Sequence, residues 1–269
     1  MGAVSAGAVR RSFASAQARV QARYGALPAE ADWRRISGIR GLGAWLEEAR
    51  GGPLKGWVKA FSSASDAQDI EAGVRGLLLA EIELVAGCVP LRWHDAVAWT
   101  RWVPLLDVLE HVRGGGAVPE WAAHEGPLAA LLDDDGALAP RLAEQAGIAP
   151  LLRADVDSSV GALWCDGWRQ RRPDTTAAVR VDLDRLAARI GGHLHAFRRG
   201  KPGRAWTLRQ ELRERLRFEF HRLGLSPAAP FVYLALVGLD LERLRRALLD
   251  RALFPESPPT GAVGSPEAA

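Results

Sequence analysis

The sequence predicts an all-α protein, and three observations predict it. Alanine, leucine and arginine abound while isoleucine and threonine are scarce, a balance that favours helix over strand. Apolar residues recur every three to four positions, as on helices with one buried face. Proline and glycine interrupt that pattern where helices would start and stop. At 269 residues and 48% hydrophobic content the chain is long enough to bury a core. The expected body is two to three small helical lobes in a funnel or bundle. An N-terminal lobe covers 1–113, a C-terminal lobe covers 114–254, and a disordered tail covers 255–269.

Residues 4–24 read as a first helix, with Phe13, Ala16, Val20 and Tyr24 on one face and Arg10, Arg11, Arg19 and Arg23 elsewhere. Leu27-Pro28 stops it. Asp32 is placed to cap a short helix carrying Trp33 and Ile36 and closed by Gly38. Leu42–Ala49 follows with Trp45 and Leu46, then a helix opened by Pro53 with Leu54, Trp57, Val58 and Phe61 inward. Ser65-Asp66 begins a long helix to about Val89, with Ile70, Val74, Leu77, Leu78, Ile82 and Val85 at helical spacing. Trp93–Trp102 is a helix that runs to Pro104, and Leu105–Val112 adds a turn or two. Gly114-Gly115-Gly116 marks the lobe boundary.

Between Val118 and Asp155 the chain is acidic and broken by Gly and Pro, so very short helices are expected. Val156–Arg171 resumes an amphipathic helix around Val160, Leu163, Trp164 and Trp168. Pro173 and Asp174 cap a long one, with Val179, Val181, Leu183, Leu186, Ile190, Leu194 and Phe197 recurring to Arg199. After the Gly200-Lys201-Pro202-Gly203 turn, Trp206–Leu223 and Pro230–Phe254 complete the set. In the last, Phe231–Leu239 is apolar almost all round, then Leu241, Leu244, Leu248 and Ala252 form one stripe. Its apolar run is far short of the roughly 20 residues of a membrane span, so it is a core helix.

The net charge of +3 conceals segregation: residues 1–50 carry 8 Lys/Arg against 4 Asp/Glu, residues 51–164 carry 8 against 16, and residues 165–251 carry 19 against 10. That pattern suits internal complementarity or a polar partner. Cys88 and Cys165 read as two buried free thiols in a reducing compartment. The N-terminal MGAVSAGAVRRSF lacks the apolar core of a secretory signal, which points to the cytoplasm.

Each candidate for chemistry has a plainer explanation. His193 and His195 lie about 200° apart round a helix, so one metal cannot easily take both. Asp107 and His111 share a helix face, where a pairing or a charge near the helix C-terminus accounts for them. Asp133, Asp134 and Asp135 lack the alternating ligands and closing Glu of a calcium loop. Ser62, Ser63 and Ser65 read as helix caps, and no triad emerges. Gly38, Gly41 and Gly43 follow no strand, so a phosphate-binding turn fails on context. Arg209, Arg213 and Arg217 stripe one helix face and could follow phosphates, but a solvated face, or a docking face for the acidic segment or an acidic partner, is the plainer role. The tryptophans are explained as anchors where short helices meet.

Stretches at both ends of the chain resemble the V-type ATPase central-stalk family, the C-type stalk proteins of prokaryotic enzymes and their d-type counterparts in eukaryotes. YLALVGLDLERLRRAL resembles that family's proline-led closing helix through Tyr233, Leu234, Asp240, Leu241, Leu244, Arg245 and Leu248, with Gly238, Glu242 and Arg243 departing from it. SFASAQARVQARYGALP resembles its opening helix through Arg19 and Val20, and SDAQDIEAGVRGLLLAEI a further helix through Asp66, Ile70 and Glu71. The resemblance implies a non-catalytic coupling subunit that links the rotor shaft to the membrane ion-translocating ring, in proton or sodium transport. It implies shaft and ring subunits as partners, a peripheral position on the inner membrane face, no catalytic or metal residue, no cofactor and no nucleic acid. The alternative is a stand-alone helical adaptor or nucleic-acid-binding protein that uses the basic C-terminal third.

Overall fold

The structure, a computed structural model, describes residues 6–124, 126–153 and 157–254. The expectations for the tail, for residues 4 and 5, and for the side chains of Arg10 and Arg11 lie outside what it describes. The helices are α1 (Ala6–Gly25), α2 (Glu30–Ser37), α3 (Leu42–Arg50), α4 (Lys55–Val58), α5 (Ala67–Cys88), α6 (Leu91–Ala98) and α7 (Leu106–Arg113). The short α8 (Glu120–Ala123), α9 (Gly126–Ala129) and α10 (Pro140–Gln145) follow, then α11 (Val160–Arg171), α12 (Ala177–Arg199), α13 (Ala205–Arg222) and α14 (Ala229–Leu253). Among the described residues there is no strand, only one antiparallel bridge between Leu132 and Leu138. The protein is all-α, as its composition and periodicity predict.

Local chemistry explains the boundaries. Asp66 accepts the Asp69 amide and Asp69 accepts the Asp66 amide, so each satisfies an N–H the first turn of α5 leaves unpaired. Asp32 does not cap α2. The helix begins two residues earlier, and the Asp32 carboxylate reaches back to the Ala29 amide. Thr176, not Pro173 or Asp174, caps α12 through the Val179 amide, and Ser159 caps α11 through that of Ala162. Pro53 lies in the turn before α4 rather than in its first turn. The helix expected over Trp93–Trp102 starts at Leu91 and tightens after Ala98 into a 3-10 segment, Trp99–Leu105, that contains Pro104. Proline lacks the N–H an α-helix interior needs, and the tighter winding accommodates it.

The core is built around α14, which packs against α5, α13, α1 and α3. Phe231, Val232, Tyr233, Leu234, Leu236 and Val237 are buried, while Ala235 and Leu239 are half-buried, so the enclosure is slightly open on one side. Leu241, Leu244 and Leu248 continue as the buried stripe. Because α14 sits on α1, α3 and α5 while α11 sits on α6 and α7, the stretches before and after Gly114–Gly116 share one hydrophobic core. On α12, Val179, Leu183 and Leu186 are buried, but Val181, on the opposite side of the helix, and Leu194, near its C-terminal end, are about half exposed.

Tryptophans join the two stretches. The Trp99 indole N–H donates to the Trp164 carbonyl at 3.0 Å, and the Trp164 N–H donates to the Trp99 carbonyl at 3.2 Å. Trp168 stacks with Trp164 and meets Phe231 edge-on, 5.2 Å between ring centres. The Arg171 guanidinium lies 3.6 Å over the Trp99 ring and donates to the carbonyls of Gly167 and Gly147. Each ring thus buries apolar area where elements cross, and Trp99 and Trp164 also satisfy their indole N–H groups there.

Two glycines of α5 give a paired test of this packing. A Cβ on Gly73 would sit 2.4 Å from the buried Phe61 ring, whereas one on Gly76 meets nothing within 4 Å. Gly73→Ala is expected to lower stability by about 1–3 kcal/mol through overpacking. Gly76→Ala should be neutral or raise it by up to about 1 kcal/mol through helix propensity. Urea melts of the two variants and the wild type measure the difference.

Candidate functional site

A cleft of about 270 Å³ lies between α13 and α14 beside the start of α2 and is lined by Glu30, Trp206, Arg209, Gln210, Arg213, Glu214, Leu239, Asp240 and Arg243. Helical spacing puts Arg209 and Arg213 on one face of α13, and Asp240 and Arg243 on the facing side of α14. Arg213 Nε donates to Asp240 Oδ1 at 2.7 Å and Nη2 to Oδ2 at 3.1 Å, with a further bond from Nη2 to the Pro28 carbonyl. Asp240 is 1% exposed, and burial pushes its carboxyl above the ordinary value despite the two bonds from Arg213.

Arg243 holds Glu30 through both carboxylate oxygens, at 2.6 and 2.9 Å, and lies between the rings of Trp33 and Trp206 at 4.7 and 4.8 Å. That bond holds the Glu30 carboxyl below its ordinary value of 4.5. Arg209 approaches Glu242 at 3.6 Å and covers the Phe197 ring. Arg217, one turn beyond, contacts the Tyr24 hydroxyl at 3.4 Å and Glu214 at 3.7 Å. The arginine stripe read from the sequence is therefore taken up inside the molecule: Arg213 is buried and its neighbours are engaged.

Similar clamps surround the rest of α14. Glu81 on α5 accepts from two Arg23 nitrogens on α1 and from the Tyr233 hydroxyl on α14; burial, with the Glu81 carboxylate beside it, raises the tyrosine pKa. Arg245 donates to Glu71 on α5. Arg251 donates to the carbonyls of Ser37, Ile39 and Ala247, closing the C-terminal end of α2. Tyr233, Asp240, Arg245 and Glu71, all residues that carry the family resemblance, thus have structural partners within this chain. Sequence reasoning missed the roles of Glu30, Glu81 and Arg251. The available signal was a carboxylate, Asp240, interrupting an apolar run, which implies a buried cation to match it.

The remaining candidates do not converge. Asp107 and His111 are exposed and form no bond with each other among the described residues, and His111 sits in the last turn of α7, the place of a charge near the helix C-terminus. The His111 ring lies against Gly116, and the neighbouring Glu110 carries the polar contacts, accepting from Arg113 and from the Val160 amide at the start of α11. His193 is half-buried, which lowers its pKa, and His195 is exposed. Asp133 accepts the amides of Asp135 and Ala137 and shapes its own loop. Ser65 accepts the Ser62 amide, and the Ser62 hydroxyl accepts the Ala64 amide, so both shape the turn before α5 rather than cap a helix. Cys88 and Cys165 are free and half-buried rather than buried, and burial pushes the Cys165 thiol up. Among the described residues no group of three or more His, Cys, Asp or Glu could hold a metal, and no helix is long and apolar enough to cross a membrane. No protein-family model, curated protein or solved structure matches this chain.

Two outcomes test the clamps. Arg213→Leu strands the Asp240 carboxylate and should cost about 3–5 kcal/mol. Arg213→Met with Asp240→Leu should recover most of that, measured by thermal melts at about 2–4 °C per kcal/mol. Glu30 has a lowered folded-state pKa, so its stabilisation is present above about 4.5 and lost as pH falls through the folded value. Asp240 has a raised pKa and the opposite sign, so it does not mimic this effect. Between pH 5.5 and 3.5, Glu30→Gln should lose less Tm than the wild type.

Proposed function

We propose that this protein is a non-catalytic helical adaptor, a rigid body that offers its surface to another macromolecule. The observation behind this reading is the pairing of the charges in the α13–α14 cleft. Glu30, Arg213, Asp240 and Arg243 bond to one another across helices, so the cleft's polar groups position structure rather than a substrate. Large apolar side chains on the outside supply contact area: Leu91 is 87% exposed and Phe218 is 72% exposed. The more specific form of the reading is the rotary-ATPase coupling role that the sequence resemblance implies. It is supported by the Glu71–Arg245 bond, which joins two of the resembling stretches. In that form the partners are rotor-shaft and ring subunits, at the inner face of the membrane.

Purification of the tagged full chain at low salt, with identification of what accompanies it, tests both levels. The rotor form requires shaft and ring subunits of a V-type ATPase in near-stoichiometric amounts, and their absence removes it. The adaptor form requires that Phe218→Ser with Leu91→Ser cut partner recovery at least fivefold while Tm stays within about 2 °C, since both side chains are exposed. Unchanged recovery would assign the contact to another surface.

A further inference from the structure

The basic excess of residues 165–251 dissolves into ion pairs along most of its length. Arg169 bonds Asp166, Arg172 bonds Asp184, Arg185 and Arg222 share Asp182, Arg189 bonds Glu219, and Arg215 approaches Glu211. The arginines of α13 and α14 in the cleft are paired as described above. Arg180 donates to the Thr175 carbonyl, and Arg171 and Arg251 likewise bond carbonyls; what is left is the turn between α12 and α13. There Arg199, Lys201 and Arg204 are exposed, and none is bonded to a carboxylate among the described residues. The sequence around them is one-sided: from Arg185 to Gln210 it holds seven Lys/Arg and no Asp or Glu.

The turn lies at the far end of a helical hairpin. Asp182 meets Arg222 at the base, and Phe197 meets Arg209 near the turn, so α12 and α13 run antiparallel. No acidic side chain occupies the first turn of α13, and no side chain caps it. An exposed turn with several unmatched cations attracts a polyanion.

We infer that the α12–α13 turn contacts the phosphate backbone of duplex nucleic acid. Three of the four cations between positions 198 and 204 are arginines, whose planar guanidinium donates to two phosphate oxygens at once. From Arg199 to Arg204 there is no leucine, isoleucine, valine or aromatic residue to enter a bilayer. The neighbouring rings are already engaged, Phe197 under Arg209 and Trp206 under Arg243, rather than offered to unpaired bases. Contact through phosphates alone makes the binding independent of sequence. This names a partner class for an adaptor from the charge of the turn, so it stands or falls separately from the rotor form.

Fluorescence anisotropy with a labelled DNA duplex of random sequence, using the full chain at 50 and 200 mM salt, tests it. Three phosphate contacts predict an affinity loss of about 40-fold over that range. Arg199→Ala/Lys201→Ala/Arg204→Ala should weaken binding at least tenfold at 50 mM and flatten the salt dependence. Arg169→Ala/Arg185→Ala/Arg215→Ala, which removes the same charge from exposed arginines elsewhere, should change it less than threefold. Lys201→Glu repeats the test with one exposed residue, and circular dichroism confirms that each variant is folded. Equal losses in the two triple variants overturn the inference, as does absence of duplex binding by the wild type. Tighter binding to phosphatidylserine vesicles than to the duplex also overturns it.

Discussion

A carboxylate in the middle of a core helix must be matched or neutralised, and Asp240 is matched by Arg213. The match fixes more than one contact. Arg213 also holds the Pro28 carbonyl, so a single guanidinium ties α13, α14 and the link before α2 into one register. Such a pair contributes little net stability compared with well-packed apolar side chains, because both charges leave water. Its value lies in excluding alternatives: sliding α14 against α13 would leave a charge buried with no partner. The clamps at Glu81, Glu30, Glu71 and Arg251 restrict the same helix from other sides. Apolar burial supplies the driving force, and these bonds select one arrangement of it.

Much of the fold was legible because helices announce themselves by period. Ile70, Val74, Ile82 and Val85 are spaced for one buried face, and they occupy it. Starts were harder to read, since several residues near each boundary can cap. Asp32, Pro173 and Asp174 are reasonable caps by type, yet Ala29 and Thr176 hold those positions because the helices begin where tertiary packing sets them. Val181 lies about 200° round α12 from Val179 and so off the buried face, whereas Leu194 keeps the register of Leu183 and is exposed all the same. The candidate site was less legible still. The Arg209–Arg213–Arg217 stripe reads as a solvated or docking face, and the burial of Arg213 and the engagement of Arg217 depend on Asp240 and Tyr24, which are remote in sequence. Periodicity describes one helix at a time and carries no information on what faces it.

The charge segregation is clearer in three dimensions. Carboxylates of the N-terminal and middle stretches, Glu30, Glu71 and Glu81, receive arginines from both ends of the chain. Complementarity between segments therefore serves folding first. At the α12–α13 turn the pairing runs out, and Arg199, Lys201 and Arg204 stand exposed with no carboxylate partner among the described residues.

The place of α14 in the chain has a consequence for synthesis. The helices it covers, α1, α3 and α5, leave the ribosome long before it does: about 140 residues separate the end of α5 from the start of α14. At roughly 5–20 residues per second that is about 7–28 s during which apolar faces of α1 and α5 wait for their cover. Trp93, Phe13 and their neighbours can meet meanwhile, but the groove that receives Phe231, Tyr233 and Leu234 stays open. A nascent chain in that state is a natural client for chaperones, and closure of this groove waits on the release of α14.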